Sequence, residues 1–186
     1  MAWALEHDIV ILHTNDIHCG INDNIGFAGL AQIKKDALAR TPNVALVDAG
    51  DAIQGAPIGK LSRGLAVVDI MNYLGYDFCI PGNHEFDYGM DRFLELVPLQ
   101  RAGYYCANFV YAGNNKQVLP GYKIMQYEDT KVAFVGASTP ESLTTSTPTF
   151  FQNEKGKYIY SFCEDKTGNK LYKQLQKNVD KARKDG

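Results

Sequence analysis

The sequence predicts an α/β layered domain built around a largely parallel sheet. Two observations lead there. Short apolar runs of strand length alternate with longer segments whose apolar residues recur at helical spacing. In addition, most of the strand-like runs are separated by a helix rather than by a tight turn, which is the connection that parallel strands need.

The elements follow in order. Ile9, Val10, Ile11 and Leu12 form an unbroken apolar run that reads as a buried strand. Leu30, Ile33 and Ala37 stand on one helical face, which predicts a helix over 27–40, closed by Pro42. Val44, Ala45, Leu46 and Val47 give the second strand. Val67, Ile70, Met71 and Leu74 occupy i, i+3, i+4 and i+7 of a second helix. Residues 77–80 read as a short third strand. Met90, Phe93, Leu94 and Val97 mark a third helix that Pro98 should kink or end. A fourth strand is expected over 104–109. Residues 122–127 and 131–136 flank a turn at 128–130 and predict a hairpin. The Ser-, Thr- and Pro-rich stretch 138–148 reads as a loop, ordered or flexible, and 158–160 as a short edge strand. Leu171, Leu175 and Val179 define a last amphipathic helix with Lys181, Arg183 and Lys184 in its final turn, where cations suit the helix dipole. A helix of this kind normally delivers the chain to another parallel strand, so the architecture is expected to be partial at Gly186.

Composition narrows the function classes. The 186 residues are 45% hydrophobic and 22% charged, with a formal net charge of −2, which fits one globular core. No cluster of Lys and Arg is dense enough to track a phosphate backbone, so a general nucleic-acid partner is not expected. A mononucleotide or another small phosphate ester remains open. No apolar run approaches the roughly 20 residues of a transmembrane helix. Residues 1–6 lack the basic flank and apolar stretch of a secretory signal. They read as a natural amino terminus or, preferably, as vector-derived residues. Cys19, Cys79, Cys106 and Cys163 are widely spaced and read as four separate thiols, with a Cys79–Cys106 bridge as the minor alternative.

Three polar motifs carry the chemistry, each following a predicted strand. They are His13-Thr14-Asn15-Asp16-Ile17-His18, Gly50-Asp51-Ala52-Ile53-Gln54-Gly55 and Gly82-Asn83-His84-Glu85-Phe86-Asp87. In open α/β sheets, ligands collect beyond the carboxyl ends of the strands, so the three should converge there. Asp16 and His18 are two residues apart and, on extended backbone, would face the same side. Asp51 offers two carboxylate oxygens able to bridge two ions, and Asn83 an amide oxygen. This mixture of oxygen and imidazole nitrogen suits Zn, Mn or Fe better than Ca or Mg. Two such ions about 3.5–4 Å apart bind phosphate, activate water and offset charge in an in-line displacement. His84 is placed to stabilise the transition state or protonate the leaving oxygen, with Asp87 fixing its tautomer. His13 is expected to be a supporting or core histidine with a hydrogen-bonded ring, and Cys19 a bystander. Gln54 is left open between touching the ion environment and closing a turn. Glu85 is expected to be a structural or solvated carboxylate. The aromatic stretches 104–105, 150–151 and 158–160 are expected to pack in the core and at edges rather than stack on bases.

HTNDIHCG, GDAIQG and GNHEFDYG, in this order and spacing, resemble the first three signatures of the calcineurin-like metallophosphoesterases. The HTND opening and the Gln after GDAI are similar to the 5′-nucleotidase branch, which includes 2′,3′-cyclic-nucleotide phosphodiesterases and UDP-sugar hydrolases. The resemblance runs from Asp8 to Gly186. It implies an α/β/β/α layered fold and two divalent metal ions held by Asp16, His18, Asp51 and Asn83. It also implies a catalytic dyad of His84 and Asp87, and hydrolysis of nucleoside 5′-monophosphates outside the cytoplasm. The family pattern continues with further metal-binding histidines and a carboxy-terminal substrate-binding domain. The four histidines here stand at 7, 13, 18 and 84. The expectation is therefore a catalytic-domain portion that binds at most one ion well and turns over poorly or not at all. A non-catalytic metal- or phosphate-binding module is the other class of function left open.

Overall fold

A computed structural model describes residues 8–186. Three strands, β1 (Val10–Thr14), β2 (Val44–Asp48) and β3 (Phe78–Cys79), form a parallel sheet in that order. The β1–β2 register runs from Val10 opposite Val44 to Thr14 opposite Asp48. Their carboxyl ends are thereby level, which delivers the polar motifs to one edge of the sheet.

Helices supply the crossovers. Helix α1 (Gly26–Leu38) buries Phe27, Leu30 and Ala37 and returns the chain from β1 to β2. Between β2 and β3 lie two helices, α2 (Pro57–Ser62) and α3 (Leu65–Leu74). Helix α3 buries Val67, Val68 and Met71 and stops at Gly75, whose φ of 71° is the left-handed cap that glycine supplies most easily. Helix α2 is absent from the sequence expectation because it has no apolar stripe. Its one buried residue is Gly59, while Leu61 is 88% exposed. Helix α4 (Met90–Leu96) buries Met90, Phe93 and Leu96, and Pro98 converts the chain to a 3-10 turn over Val97–Leu99.

The expected fourth strand over 104–109 is reduced to one parallel bridge between Tyr104 and Cys79. The backbone is diverted by other partners. Ala107 donates to the Gly136 carbonyl, and the buried Asn108 amide donates to the carbonyls of Ser138 and Phe162. Pairing resumes one step later, where β4 (Val110–Tyr111) runs antiparallel to β7 (Tyr160–Ser161). The predicted hairpin is present as β5 (Tyr122–Tyr127) and β6 (Thr130–Val135), turning through Glu128 at φ 49°. Within the Ser/Thr-rich stretch, α5 (Ser142–Thr145) forms one helical turn. Helix α6 (Asn169–Asp185) lies across the hairpin with Asn178 and Ala182 buried.

Of the aromatic stretches, Tyr104, Phe151 and Tyr160 are buried, whereas Tyr158 is exposed at the edge. Phe86 meets Phe93, Phe109, Phe151 and Phe162 at ring separations of 4.8, 5.4, 5.2 and 5.6 Å, and all five rings are fully buried. This cluster lies directly beneath the third motif, so burial of Phe86 sets where its neighbour His84 sits. All four cysteines are free thiols, and no Cys79–Cys106 bridge forms.

Candidate metal centre

The first motif leaves β1 and continues to pair with the second. Asp16 N–H donates to the Gly50 carbonyl at 3.0 Å, His18 N–H to Asp51 at 2.9 Å and Cys19 N–H to Ala52 at 2.9 Å. The backbone here is not extended. Asp16, His18, Cys19 and Asp51 all take positive φ, at 52°, 47°, 60° and 59°. Non-glycine residues held there cost on the order of 1–3 kcal/mol each, and such residues cluster at functional sites. The alternation argument for Asp16 and His18 is thus corrected, yet the pair still meets, with His18 Nε2 3.8 Å from Asp16 Oδ1.

His18 is oriented by its other nitrogen. Nδ1 lies 3.1 Å from the Gln54 carbonyl oxygen, so a proton on Nδ1 leaves the Nε2 lone pair free for a cation. Gln54 therefore contributes its backbone to the site. The second and third motifs touch through glycine. A Cβ added to Gly50 would lie 2.4 Å from Gly82 N, and one added to Gly82 would lie 2.2 Å from Asp51 Oδ1. Only glycine at both positions lets the two loops come this close.

In that space Asp51 Oδ1 accepts the His84 N–H at 2.7 Å. His84 Nδ1 is 2.7 Å from Asp87 Oδ2, and the other Asp87 oxygen accepts from the Ser146 hydroxyl at 3.2 Å. Partial burial pushes the His84 pKa down, but the hydrogen bond and charge of Asp87, with Asp51 and Glu85 behind it, outweigh that and raise it above the ordinary value. The His18 and His84 rings meet edge to face, 5.0 Å apart.

One nitrogen or oxygen each from His18, Asp51 and His84 lies within 4.8 Å of the others. Two imidazoles and a carboxylate form a donor set that fits a first-row transition ion. Asp16 is an exposed residue at the rim of this group, also accepting from Asn15 Nδ2 at 2.6 Å. Asn83 is half-buried next to His84, and its side chain has no hydrogen-bond partner among the described residues. A cleft of about 450 Å³ opens beside Asp16 and His18, lined also by Asn15, Asp23 and Asn24.

Other residues stand differently from the expectation. His13 is exposed and lacks a hydrogen-bond partner among the described residues, so it is neither a core nor a supporting histidine. Cys19, by contrast, fits the bystander expectation: it is buried, and burial, followed by the Glu85 charge, pushes its thiol up to about 11. Three supports were not foreseen. Ser146 backs Asp87, and the hydroxyl of Tyr76 meets that of Thr14 at 3.0 Å. Thr14 in turn donates to the buried Asp48 at 2.7 Å. Burial raises the Asp48 carboxyl to about 8, with the Thr14 bond opposing and the Glu85 charge adding to it.

Fold and cluster together define an α/β protein with a His/Asp group able to hold a metal at the tips of its parallel strands. Residues 9–180 match the calcineurin-like phosphoesterase family, and the chain belongs to it. Phosphate-ester hydrolysis is the chemistry of this family, and its members use a dinuclear metal site. The chain is 31% identical over 160 residues to a snake venom 5′-nucleotidase of Gloydius brevicauda, covering 76% of this chain and 27% of that protein. It is 32% identical over 168 residues to 5′-nucleotidase of Rattus norvegicus, covering 78% and 28% respectively. Among solved structures, the sulfate thiohydrolase SoxB of Thermus thermophilus superposes with a TM-score of 0.71 at 28% identity, over 87% of this chain and 28% of that one. The chain thus spans about a quarter to a third of these proteins.

Proposed function

We propose that the protein to which this chain belongs hydrolyses nucleoside 5′-monophosphates to nucleoside and phosphate. Asp16, His18, Asp51 and Asn83 would hold two divalent ions, Zn or Mn by the chemistry of the donors, with Fe as a third choice. The observation that carries the reading is the convergence of His18, Asp51 and His84 within 4.8 Å from three separate loops. Bound ions would supply Lewis-acid stabilisation of the phosphate and an activated water.

The chain's own groups have distinct work. Asp87 holds Nδ1 of His84, which leaves Nε2 to hydrogen-bond the phosphate or protonate the leaving oxygen. Gln54 and Gly50 hold the first motif against the second, so the ligands are arranged before substrate arrives. The venom relatives support a location outside the cytoplasm. No helix among the described residues is long and apolar enough to cross a membrane.

The test is phosphate release from AMP by the full-length protein reconstituted with Mn²⁺ or Zn²⁺, in a panel with a 2′,3′-cyclic nucleotide and a UDP-sugar. Metal-dependent turnover fastest on AMP is expected. Preference for either other substrate would reassign the reaction, and turnover indifferent to chelation would end the metal reading.

A further inference from the structure

Glu85 follows His84 in the third motif, yet it is only 1% exposed. Among the described residues it forms no ion pair, and its four hydrogen bonds all come from backbone amides. Oε2 accepts Asp51 N–H at 2.7 Å and Gly82 N–H at 2.6 Å. Oε1 accepts Ala52 N–H at 2.8 Å and Ile53 N–H at 3.3 Å. One oxygen therefore joins the loop after β2 to the loop after β3, between Asp51 and the residue preceding Asn83. A reciprocal bond runs the other way, from His84 N–H to Asp51 Oδ1 at 2.7 Å. The two loops are cross-tied at Asp51 and at the residues on either side of Asn83.

A buried carboxylate without a cation is an expensive way to fill space. Phe86 already anchors this turn in the core, so packing alone does not call for an acid here. Four amide protons that the loops leave unpaired do call for one. A carboxylate alone offers two oxygens with about four acceptor sites. Glutamine would turn an NH₂ toward two N–H groups, and aspartate is one methylene short of spanning both loops.

We propose that Glu85 is a positioning residue that fixes the separation of Asp51 and Asn83, and with it the geometry of the ion site. This rests on the metal role given to those two residues above. Charge is not the operative property, because each acceptor site is directed at an amide.

The test uses the full chain with Glu85→Gln, Glu85→Asp and, as a structural control, Asp77→Asn. Asp77 Oδ2 accepts the Leu46 amide at 2.9 Å, a carboxylate–backbone tie made by a residue outside the three motifs. Mn²⁺ affinity is measured by calorimetry, and amide exchange is followed on the metal-free proteins. Both Glu85 variants should weaken Mn²⁺ binding roughly 10–100-fold, the range for residues that orient metal ligands. They should also speed exchange at amides 51, 52, 53 and 82 at least about tenfold beyond any global change. Asp77→Asn should lower the melting temperature and leave Mn²⁺ affinity alone. Wild-type affinity in Glu85→Asp would show that charge suffices and overturn the proposal. So would a Glu85→Gln shift no larger than that of Asp77→Asn. If the wild type binds no Mn²⁺, the metal reading itself fails, and unchanged protection of the four amides would still refute the tie. Should Glu85→Gln not fold, Glu85→Asp carries both readouts.

Discussion

The two arms of the site are built differently. The arm after β2 and β3, carrying Asp51, Asn83 and His84, rests on a strand with neighbours on both sides, and Ala45 and Leu46 within β2 are fully buried. It is cross-tied by Glu85 and floored by Phe86. The arm after β1, carrying Asp16 and His18, continues from a strand paired on one side only among the described residues. Ile11 in that strand is 48% exposed, and His13 and Asp16 are exposed as well. One arm holds its ligands by satisfied buried polar groups. The other relies on a few backbone bonds to its neighbour and on residues held at positive φ. The side chains on the first arm are backed by buried partners, whereas those on the second are held chiefly by backbone bonds to the first.

That contrast predicts an order of effects. Phe86→Ala removes the ring shared by four others and should destabilise the fold by about 3–5 kcal/mol, read by urea unfolding. Asp51→Ala should abolish metal binding in direct metal analysis, whereas Asp16→Ala should only weaken it. Equal losses would break the comparison. His84→Ala should lower kcat about 10²–10⁴-fold in the full-length protein with metal content kept. Because the His84 nitrogen lies within the ligand group, loss of metal in this variant would make it a ligand and would sharpen the boundary between the arms. Ser146→Ala touches only the far oxygen of Asp87, so a kcat loss below about tenfold is expected.

The smallest effect concerns pH and tests the carboxyl end of β2. The folded Asp48 carboxyl keeps its proton up to about 8, against an ordinary value of 3.8. Between these values the folded state binds more protons than the unfolded one, so stability falls as pH rises through that window. Asp48→Asn keeps an oxygen to accept from the Gly50 N–H and turns its NH₂ toward the Thr14 hydroxyl, which then accepts instead of donating. Melting curves from pH 5 to 8 should therefore decline less steeply for the variant than for the wild type. Parallel curves would show that Asp48 is ionised in the fold.

What the sequence disclosed follows the same physical divide. Elements with an apolar run or stripe are legible: in β2, α1 and α3 burial dictates the pattern, whereas β1, read as a buried strand, is an edge strand with Ile11 exposed, and the hairpin and α6 are largely half-buried. Helix α2 is not, since glycine buries it and its leucine faces solvent. The stretch 104–109 has strand composition, but its amides at 106 and 107 donate to Pro120 and Gly136 and its Asn108 side chain is tied to Ser138 and Phe162, which no local pattern reveals. At the site, the residues able to bind a cation are evident from type and spacing. Their supports are not. Gln54 acts through its carbonyl and Glu85 through four amides, and backbone groups carry no signature in the residue letters.

Convergence of side chains from separate strand tips on a shared cation is tested most directly by a crystal of the chain soaked in Mn²⁺ and measured for anomalous scattering. A peak bonded by His18 and Asp51, within reach of Asn83 or Asp16, is the predicted result. A well-ordered lattice with no peak there, or with manganese held only by other residues, would contradict it.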